Sequence, residues 1–269
     1  MKKLTLVYPL LFNGSTWANN ELMYSIRSAE KHIKNVDLKI VVISDMLPKQ
    51  LSIDKVAFIY HKDGKSDPSK NILSKLFGHI THIESIGDDN RFILMNDDFY
   101  FNHDIDGEEL ATTFYYDGTI LKRWNNYEGN SPYSKGLLYS KDLLDNFALP
   151  TLNFAVHFPL PIYTKCLPYI KNLIVSDNQL HNNRPILFRL IYANYLKKYK
   201  NQILPTSILP SIKYTNKSDL KLNKMLNYKV FIQTIENQNL FSVGDDLLVD
   251  AGVRSMFSKL YPNKSMFES

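Results

Sequence analysis

Two adjacent acids, Asp97 and Asp98, are the residues whose type and position best suit chemistry. They follow the apolar run at 92–95, which is typical of a buried strand and would deliver them to that strand's carboxyl end, where open α/β sheets place their ligands. Carboxylate oxygens suit a hard divalent cation, Mg or Mn, that also contacts substrate phosphates. We therefore predict a metal site at this pair, although an isolated pair of acids more often begins a solvated turn.

A histidine and two arginines are further candidates. His157 lies between apolar residues and directly before a proline-rigidified turn at 159–161, a setting that fits a buried core histidine as well as an acid–base group. Arg184 and Arg189 lie near the start of a predicted helix, where Arg184 could reach an anion at the amino end; the alternative is that both guanidiniums face solvent. We keep all three as candidate catalytic residues.

The elements that must position these residues follow an alternating pattern in the first half of the chain. A helix capped at Thr16 or Asn19 is predicted to run to about His32. Further helix spacing occurs at 71–84, and strands are predicted at 4–8, 38–44, 56–60 and 91–95. This order predicts an α/β fold with a mostly parallel sheet flanked by helices.

The second half of the chain is less regular. Short strands are predicted at 112–116 and 136–139, on either side of a polar aromatic loop at 124–127 that suits stacking on a base or a sugar. Four prolines between 150 and 168 favour an extended connection, and a helix with Pro185 in its first turn is predicted at 186–199. No linker divides the chain, so we expect a single domain, 1–269, with an elaborated C-terminal half.

The composition limits which classes of protein and which partners are possible. No apolar stretch reaches the roughly 20 residues of a membrane span, and the lone Cys166 fits a reducing compartment, so we expect a cytoplasmic protein. The net charge of +5 is compatible with an anionic partner without identifying one. Basic runs at 197–200 and 213–217 contain tyrosine, as nucleic-acid surfaces do, but also fit a solvated helix end and a loop.

Several segments together resemble one known family. The sequence NELMYSIRSAEK at 20–31 is similar to the NELRYSLRSVEK signature of the Stealth family, the capsular polysaccharide phosphotransferases and their relatives. The segment at 94–101 resembles that family's LNDDVFF element, and His157 with the two residues after it resembles its histidine–proline element. Weaker collinear matches lie at 41–45, 241–246 and 261–268.

The resemblance implies a glycosyltransferase-A-like fold and a nucleotide-sugar donor. It implies that Asp97 and Asp98 hold the divalent metal and the donor diphosphate, that His157 takes part in catalysis, and that Arg184 or Arg189 matches a downstream arginine. Residues 1–110 would form the nucleotide-sugar-binding half and residues 111–269 the acceptor and catalytic half. The donor-binding residues expected beside the acids are Asn20, Arg27 and Asn96.

Several functions stay open on the sequence alone. The acid of the family's opening motif is missing at 6–15, so transfer of a sugar and transfer of a sugar phosphate are both compatible with the chain. The acceptor hydroxyl could belong to a surface glycan or, as in phage DNA glycosyltransferases, to a hydroxymethylated base of DNA. A non-catalytic glycan- or nucleic-acid-binding protein that retains the fold is the alternative outside the enzymes.

Overall fold

The computed structural model describes residues 2–11, 15, 17–62, 68–86, 90–119, 121, 131–181, 185–217, 221–222 and 228–269. Its strands are β1 (Lys2–Pro9), β2 (Ile33–Lys34), β3 (Val36–Ser44), β4 (Ala57–Tyr60), β5 (Arg91–Leu94), β6 (Phe99–Phe101), β7 (Ile105–Asp106), β8 (Thr113–Tyr116), β9 (Leu160–Tyr163), β10 (Lys213–Asn216), β11 (Lys221–Leu222) and β12 (Leu240–Val243). Its helices are α1 (Asn20–His32), α2 (Pro68–Gly78), α3 (Ile80–Ile86), α4 (Gly107–Leu110), α5 (Pro132–Asn146), α6 (Leu167–His181), α7 (Phe188–Ile203), α8 (Tyr228–Ile235), α9 (Asp245–Leu248) and α10 (Ala251–Leu260).

The central sheet has the strand order β4-β3-β1-β5-β9. The first four strands are parallel, and β9 pairs with β5 in the antiparallel sense. The prediction of an α/β fold with a mostly parallel sheet is therefore confirmed. Because the carboxyl ends of parallel strands meet at one edge, Pro9, Ser44 and the turn after Leu94 lie along the same edge of the sheet.

Both faces of the sheet are buried. Along β3, Val41 and Ile43 belong to one hydrophobic cluster, which also contains residues of α5, α6 and α7. Ile40 and Val42 belong to a second cluster, which contains residues of α1. Alternate side chains therefore face two helical layers, which explains why these strands are near-continuous apolar runs.

A second, smaller sheet has three strands. Its order is β11-β12-β6, with β12 antiparallel to β6 and parallel to β11. Strand β6 begins directly after the acid pair, so this sheet fixes the chain on the far side of Asp98. Two-stranded pairs, β10 with β8 and β2 with β7, complete the described sheets.

Residues 136–139, predicted as a strand, lie within helix α5, so that prediction was wrong. Ser131 caps the helix by accepting from the Ser134 backbone N–H at 3.1 Å, and Pro132 occupies its first turn. Leu137, Leu143 and Leu144 are buried at helical spacing. The four-residue apolar run was too short for its period to separate a strand from a helix.

Two other boundaries differ from the predictions. The helix predicted at 71–84 is two helices, α2 and α3, which are separated at His79. The proline-rich segment at 150–168, predicted as an extended connection, contains strand β9 and leads into helix α6, which the sequence patterns did not indicate. The helix at 186–199 is present as α7, although it begins at Phe188.

The C-terminal segment, whose local sequence is typical of a fraying end, is integrated into the fold. Phe267 is buried, and its carbonyl accepts from the Ser52 backbone N–H at 2.9 Å. Glu268 forms an isolated β-bridge with Leu51. Within the described ranges, no helix has the length and apolar character needed to cross a membrane.

Candidate functional site

The acid pair occupies a turn between β5 and β6 at the carboxyl edge of the central sheet. The Met95 N–H donates to the Val7 carbonyl at 2.9 Å, which extends the contact between β5 and β1 by one residue. The chain then turns through Asp97 and Asp98, and the Phe99 N–H donates to the Asn96 carbonyl at 3.4 Å. The strand placement predicted for the acids is confirmed, and we refer to residues 96–98 as the acid turn.

Helix α1 holds the strand that follows the acid turn. The Ser25 hydroxyl donates to the Phe99 carbonyl at 2.7 Å and lies 3.1 Å from the Tyr8 hydroxyl. One turn later, the Ser28 hydroxyl accepts from the Phe101 N–H at 3.0 Å. The serines of the 20–31 motif therefore fix β6 against β1, which gives this motif a structural role next to the acids.

Arg189 joins the acid turn to the segment that carries His157. Its guanidinium donates to the Asn96 side-chain oxygen at 3.1 Å and to the Phe158 carbonyl at 2.5 Å, and a longer contact of 3.5 Å reaches the Leu94 carbonyl. Its central carbon lies 5.1 Å from the centre of the Phe99 ring. A guanidinium carries five donors in a rigid fork, so it can hold these separate segments at once.

The electrostatics of Arg189 reflect its enclosed position. Burial lowers the pKa of its guanidinium to about 10, and the nearby Asp98 carboxylate opposes that shift by favouring the charged form. Asp98 and Arg189 are therefore close enough for their charges to interact. The acid turn is held both by hydrogen bonds and by this charge interaction.

An open cleft of about 230 Å³ lies beside the acid turn. Its walls come from the carboxyl edge of the sheet, helix α2, helix α5, the segment before β9 and the start of helix α7. Its lining includes Pro9, Asn96, Phe99, Tyr133, His157 and Arg189. The amino end of α7 faces this cleft, and a helix amino end carries partial positive charge that favours anions.

His157 lies in this cleft rather than in the core. The residue is half-buried, and its ring centre is 6.4 Å from that of Phe99 in an edge-on arrangement. Its Nε2 atom is 3.3 Å from the Lys221 ammonium nitrogen. Because an ammonium can only donate, Nε2 acts as the acceptor in this contact. This setting favours the acid–base interpretation of His157 over that of a core histidine.

The acid turn also raises the pKa of neighbouring tyrosines. Burial is the main cause of the raised pKa of Tyr100, and the charges of Asp98, Asp97 and Glu21 raise it further. The pKa of Tyr8 is raised mainly by burial, with a smaller contribution from Asp97. The acid turn therefore creates a negative potential that extends into its surroundings, as a cation-binding site requires.

Arg27 and Asn20 have partners outside the lining of the cleft. The Arg27 guanidinium donates to both carboxylate oxygens of Glu268, at 2.6 and 2.7 Å, and to the Tyr261 carbonyl at 3.1 Å. The Asn20 amide donates to the Trp17 carbonyl at 2.7 Å. These contacts give both residues structural roles, and their predicted role in donor binding stays a prediction.

Two predicted features lie outside the described residues: Arg184 and the aromatic loop at 124–127. Among the described residues, the sequence patterns missed Phe99 and Lys221 as neighbours of His157. Phe99 was visible as the residue after the acids. Lys221 is brought to His157 by strand β11, whose pairing with β12 no local pattern specifies.

No group of three or more His, Cys, Asp or Glu side chains suited to a metal ion occurs within the described ranges. A Mg or Mn site that is completed by substrate phosphates and water needs only one or two protein carboxylates. The acid turn supplies oxygen ligands of that kind. Burial is the main cause of the raised pKa of Tyr100, and the charges of Asp98 and Asp97 add to it. The donor set therefore fits a divalent cation.

The two basic runs of the sequence meet in the structure. The Lys197 and Lys200 ammonium groups, on helix α7, lie 4.2 and 5.3 Å from the centre of the Tyr214 ring, on strand β10. Burial lowers the pKa of Lys197, and the charge of Lys200 lowers it further. The runs thus form one basic and aromatic patch, 197–200 with 213–217, on the described surface.

No protein-family model and no curated protein sequence matches the chain. Among solved structures, it is similar to the galactosyltransferase LgtC in complex with donor and acceptor sugar analogues. The TM-score is 0.51 over 98% of this chain and 97% of that chain. The fold is glycosyltransferase-A-like. With 11% identity, the likeness concerns the fold alone.

The comparisons support the fold that the sequence resemblance implied, but not the family. The expected glycosyltransferase-A-like fold is confirmed by the structural likeness. Membership of the Stealth family is not supported, since no family model matches. The short motifs at 20–31 and 94–101 nevertheless marked the helix and the turn that build the acid end of the cleft.

Proposed function

We propose that this protein is a glycosyltransferase that moves a sugar from a nucleotide-activated donor to an acceptor hydroxyl. One observation carries the proposal: Arg189 connects the acid turn to the His157 segment, and both segments border one cleft at the carboxyl edge of the sheet. Parallel α/β sheets bind their ligands at this edge. The similarity of the fold to that of a galactosyltransferase agrees with this assignment.

Asp98, with Asp97 or Asn96, would hold a divalent cation in this proposal. When bound, such a cation offsets the negative charge that develops on the leaving nucleoside diphosphate. We favour Asp98 as the main ligand because it directly precedes strand β6 and its charge interacts with that of Arg189. Transfer of a sugar phosphate, instead of a sugar, is the alternative reaction within the transferase class.

The other residues of the cleft supply orientation and proton transfer. Arg189 holds the Asn96 side chain and the backbone beside His157, so it is a positioning residue. The amino end of helix α7 favours the donor's phosphates. His157, which accepts at Nε2 in the contact with Lys221, would take the proton from the acceptor hydroxyl as the new glycosidic bond forms.

Calorimetric binding of nucleoside diphosphates tests the proposal and does not require the sugar to be identified. We expect one of UDP, GDP, CDP, ADP and dTDP to bind in the presence of Mn²⁺ and to bind more weakly after chelation. A panel of sugars on that nucleotide should then release nucleoside diphosphate. Failure of all five nucleotides to bind would contradict the proposal, and tight binding without any turnover would favour the non-catalytic alternative.

Modified DNA as acceptor is a second candidate, and the basic patch at 197–200 and 213–217 is the observation that favours it. Lysines beside a half-buried aromatic ring, here that of Tyr214, are suited to contact a nucleic-acid backbone and its bases. Hydroxymethylated duplex DNA should then bind with an affinity that falls steeply as salt increases. Absence of duplex binding at low salt would leave a glycan as the acceptor class.

A further inference from the structure

A row of three side chains crosses the small sheet beneath His157. Strand pairing places Phe99 opposite Ser242, and Ser242 opposite Lys221. Directly paired residues point to the same face of a sheet. Two members of the row contact His157: the Phe99 ring centre is 6.4 Å from its ring centre, and the Lys221 ammonium is 3.3 Å from Nε2. Ser242, between them, therefore faces the same side.

The hydroxyl of Ser242 is buried in this row. The residue has 0% of its surface exposed, and its hydroxyl oxygen has no hydrogen-bond partner within the described part of the chain. A buried hydroxyl without a partner costs about 1–3 kcal/mol, so each such group needs a physical explanation, and a bound ligand group is one. A ligand group that accepts from this hydroxyl would remove that cost.

Two lysines lie beside His157 and its neighbour Phe158. Lys221, which is exposed, contacts His157, and the Lys217 ammonium lies 5.7 Å from the ring centre of Phe158. Burial lowers the pKa of Lys217, so its charge is incompletely solvated. Across the described ranges, neither lysine forms an ion pair with a carboxylate. Lys221, which is paired with Ser242 on the neighbouring strand, can supply a cation beside that hydroxyl donor, and the two groups suit an oxyanion.

We propose that Lys221 and Ser242, here called the lysine–serine subsite, bind a phosphate or carboxylate group carried by the acceptor glycan. The assignment to the acceptor rests on the proposed function and on position. Lys221 lies on the third strand of the row, and Phe99, the residue after the acid turn, lies on the first. With strands about 5 Å apart, the backbones of these two residues are separated by about 10 Å. Lys221 contacts His157, which lines the cleft, and its strand is two strands away from the one that follows the acid turn, so the subsite lies away from the proposed donor diphosphate.

The subsite itself can be tested with inorganic phosphate as the probe. Phosphate should shift the imidazole NMR signals of His157 in the wild-type protein in a saturable way. The Lys221→Met and Ser242→Ala variants should weaken that binding, by about tenfold for the lysine, because a charge-assisted hydrogen bond is lost. Lys229→Met, an exposed lysine on helix α8, is the matched control and should behave like the wild type. An unshifted His157, or equal binding in every variant, would overturn the subsite.

A second experiment, steady-state kinetics, identifies which substrate carries the anionic group. Once a donor is known, Lys221→Met should raise the KM for phosphorylated or carboxylated acceptor sugars far more than the KM for the donor. A larger rise in the donor's KM would assign the subsite to the diphosphate and overturn the acceptor proposal. If no donor is ever turned over, the proposed function fails, whereas the phosphate titration still decides whether the subsite exists.

Discussion

At the scale of single residues, Arg189 organises the site. It is the described side chain whose hydrogen bonds reach both the Asn96 amide of the acid turn and the Phe158 backbone beside His157. From the sequence, Arg189 was a candidate only as a possible match to the downstream arginine of the resembled family. The structure instead gives its donors to protein acceptors, which local sequence cannot indicate because those acceptors lie 31 and 93 residues away.

Replacement of Arg189 should therefore impair geometry more than binding. We expect Arg189→Met to lower donor turnover on the order of 100-fold, since small displacements of catalytic groups have costs of that size. The KM for the donor should change much less than kcat. Lys229→Met, a loss of positive charge at an exposed position outside the basic patch, is the control, and steady-state kinetics provides the measurement. A folded Arg189→Met protein with wild-type kcat would contradict this role.

At the scale of elements, the sequence predicted the first half of the fold better than the second. Strands β1, β3 and β4 are long or β-branched runs, and the parallel arrangement follows from their alternation with helices. Helix α5 was missed because its apolar run is short, and the small sheet was missed because β11 and β12 pair with distant β6. These contacts depend on tertiary packing and not on local periodicity.

The C-terminal segment provides the first prediction at this scale. The Arg27–Glu268 pair is bidentate, and its side chains are 11% and 4% exposed. Loss of one partner leaves the other charge buried, so we expect Glu268→Gln to lower the free energy of unfolding by about 3 kcal/mol. Urea denaturation measures this change. A double variant, Arg27→Leu with Glu268→Leu, should lose less than the sum of the single changes, and strict additivity would contradict the pairing.

His79, which lies between helices α2 and α3, should make the stability of the protein depend on pH. Burial lowers the pKa of His79 from its ordinary value of 6.5, and the charges of His61 and His82 lower it further. The folded state thus favours neutral His79, and this contribution to stability is present above pH 6.5 and is lost as the pH falls toward the folded-state pKa. Between about pH 7.5 and 5.5, His79→Gln should lose less stability than the wild type in urea denaturation. An equal loss of stability in the wild type and in His79→Gln would contradict this effect of His79.

At the scale of the whole molecule, the architecture was predictable and the chemistry was only partly so. Alternating patterns and the acids after β5 predicted an α/β fold with a site at the carboxyl edge of the sheet. The structural likeness to a galactosyltransferase confirms that architecture. His157 was predicted from its sequence, but its contact with Lys221 was not, because strand β11 reaches His157 only in the folded chain.

Donor turnover by Asp98→Asn is the most direct test of the central claim that the acid turn holds the donor and its cation. The amide keeps the side chain's size and removes its charge, so a loss of several kcal/mol of leaving-group stabilisation is expected, on the order of 1000-fold in kcat. Asp54→Asn, at an exposed position, is the matched control and should retain wild-type kcat. A folded Asp98→Asn protein that turns over the donor at the wild-type rate would contradict the account.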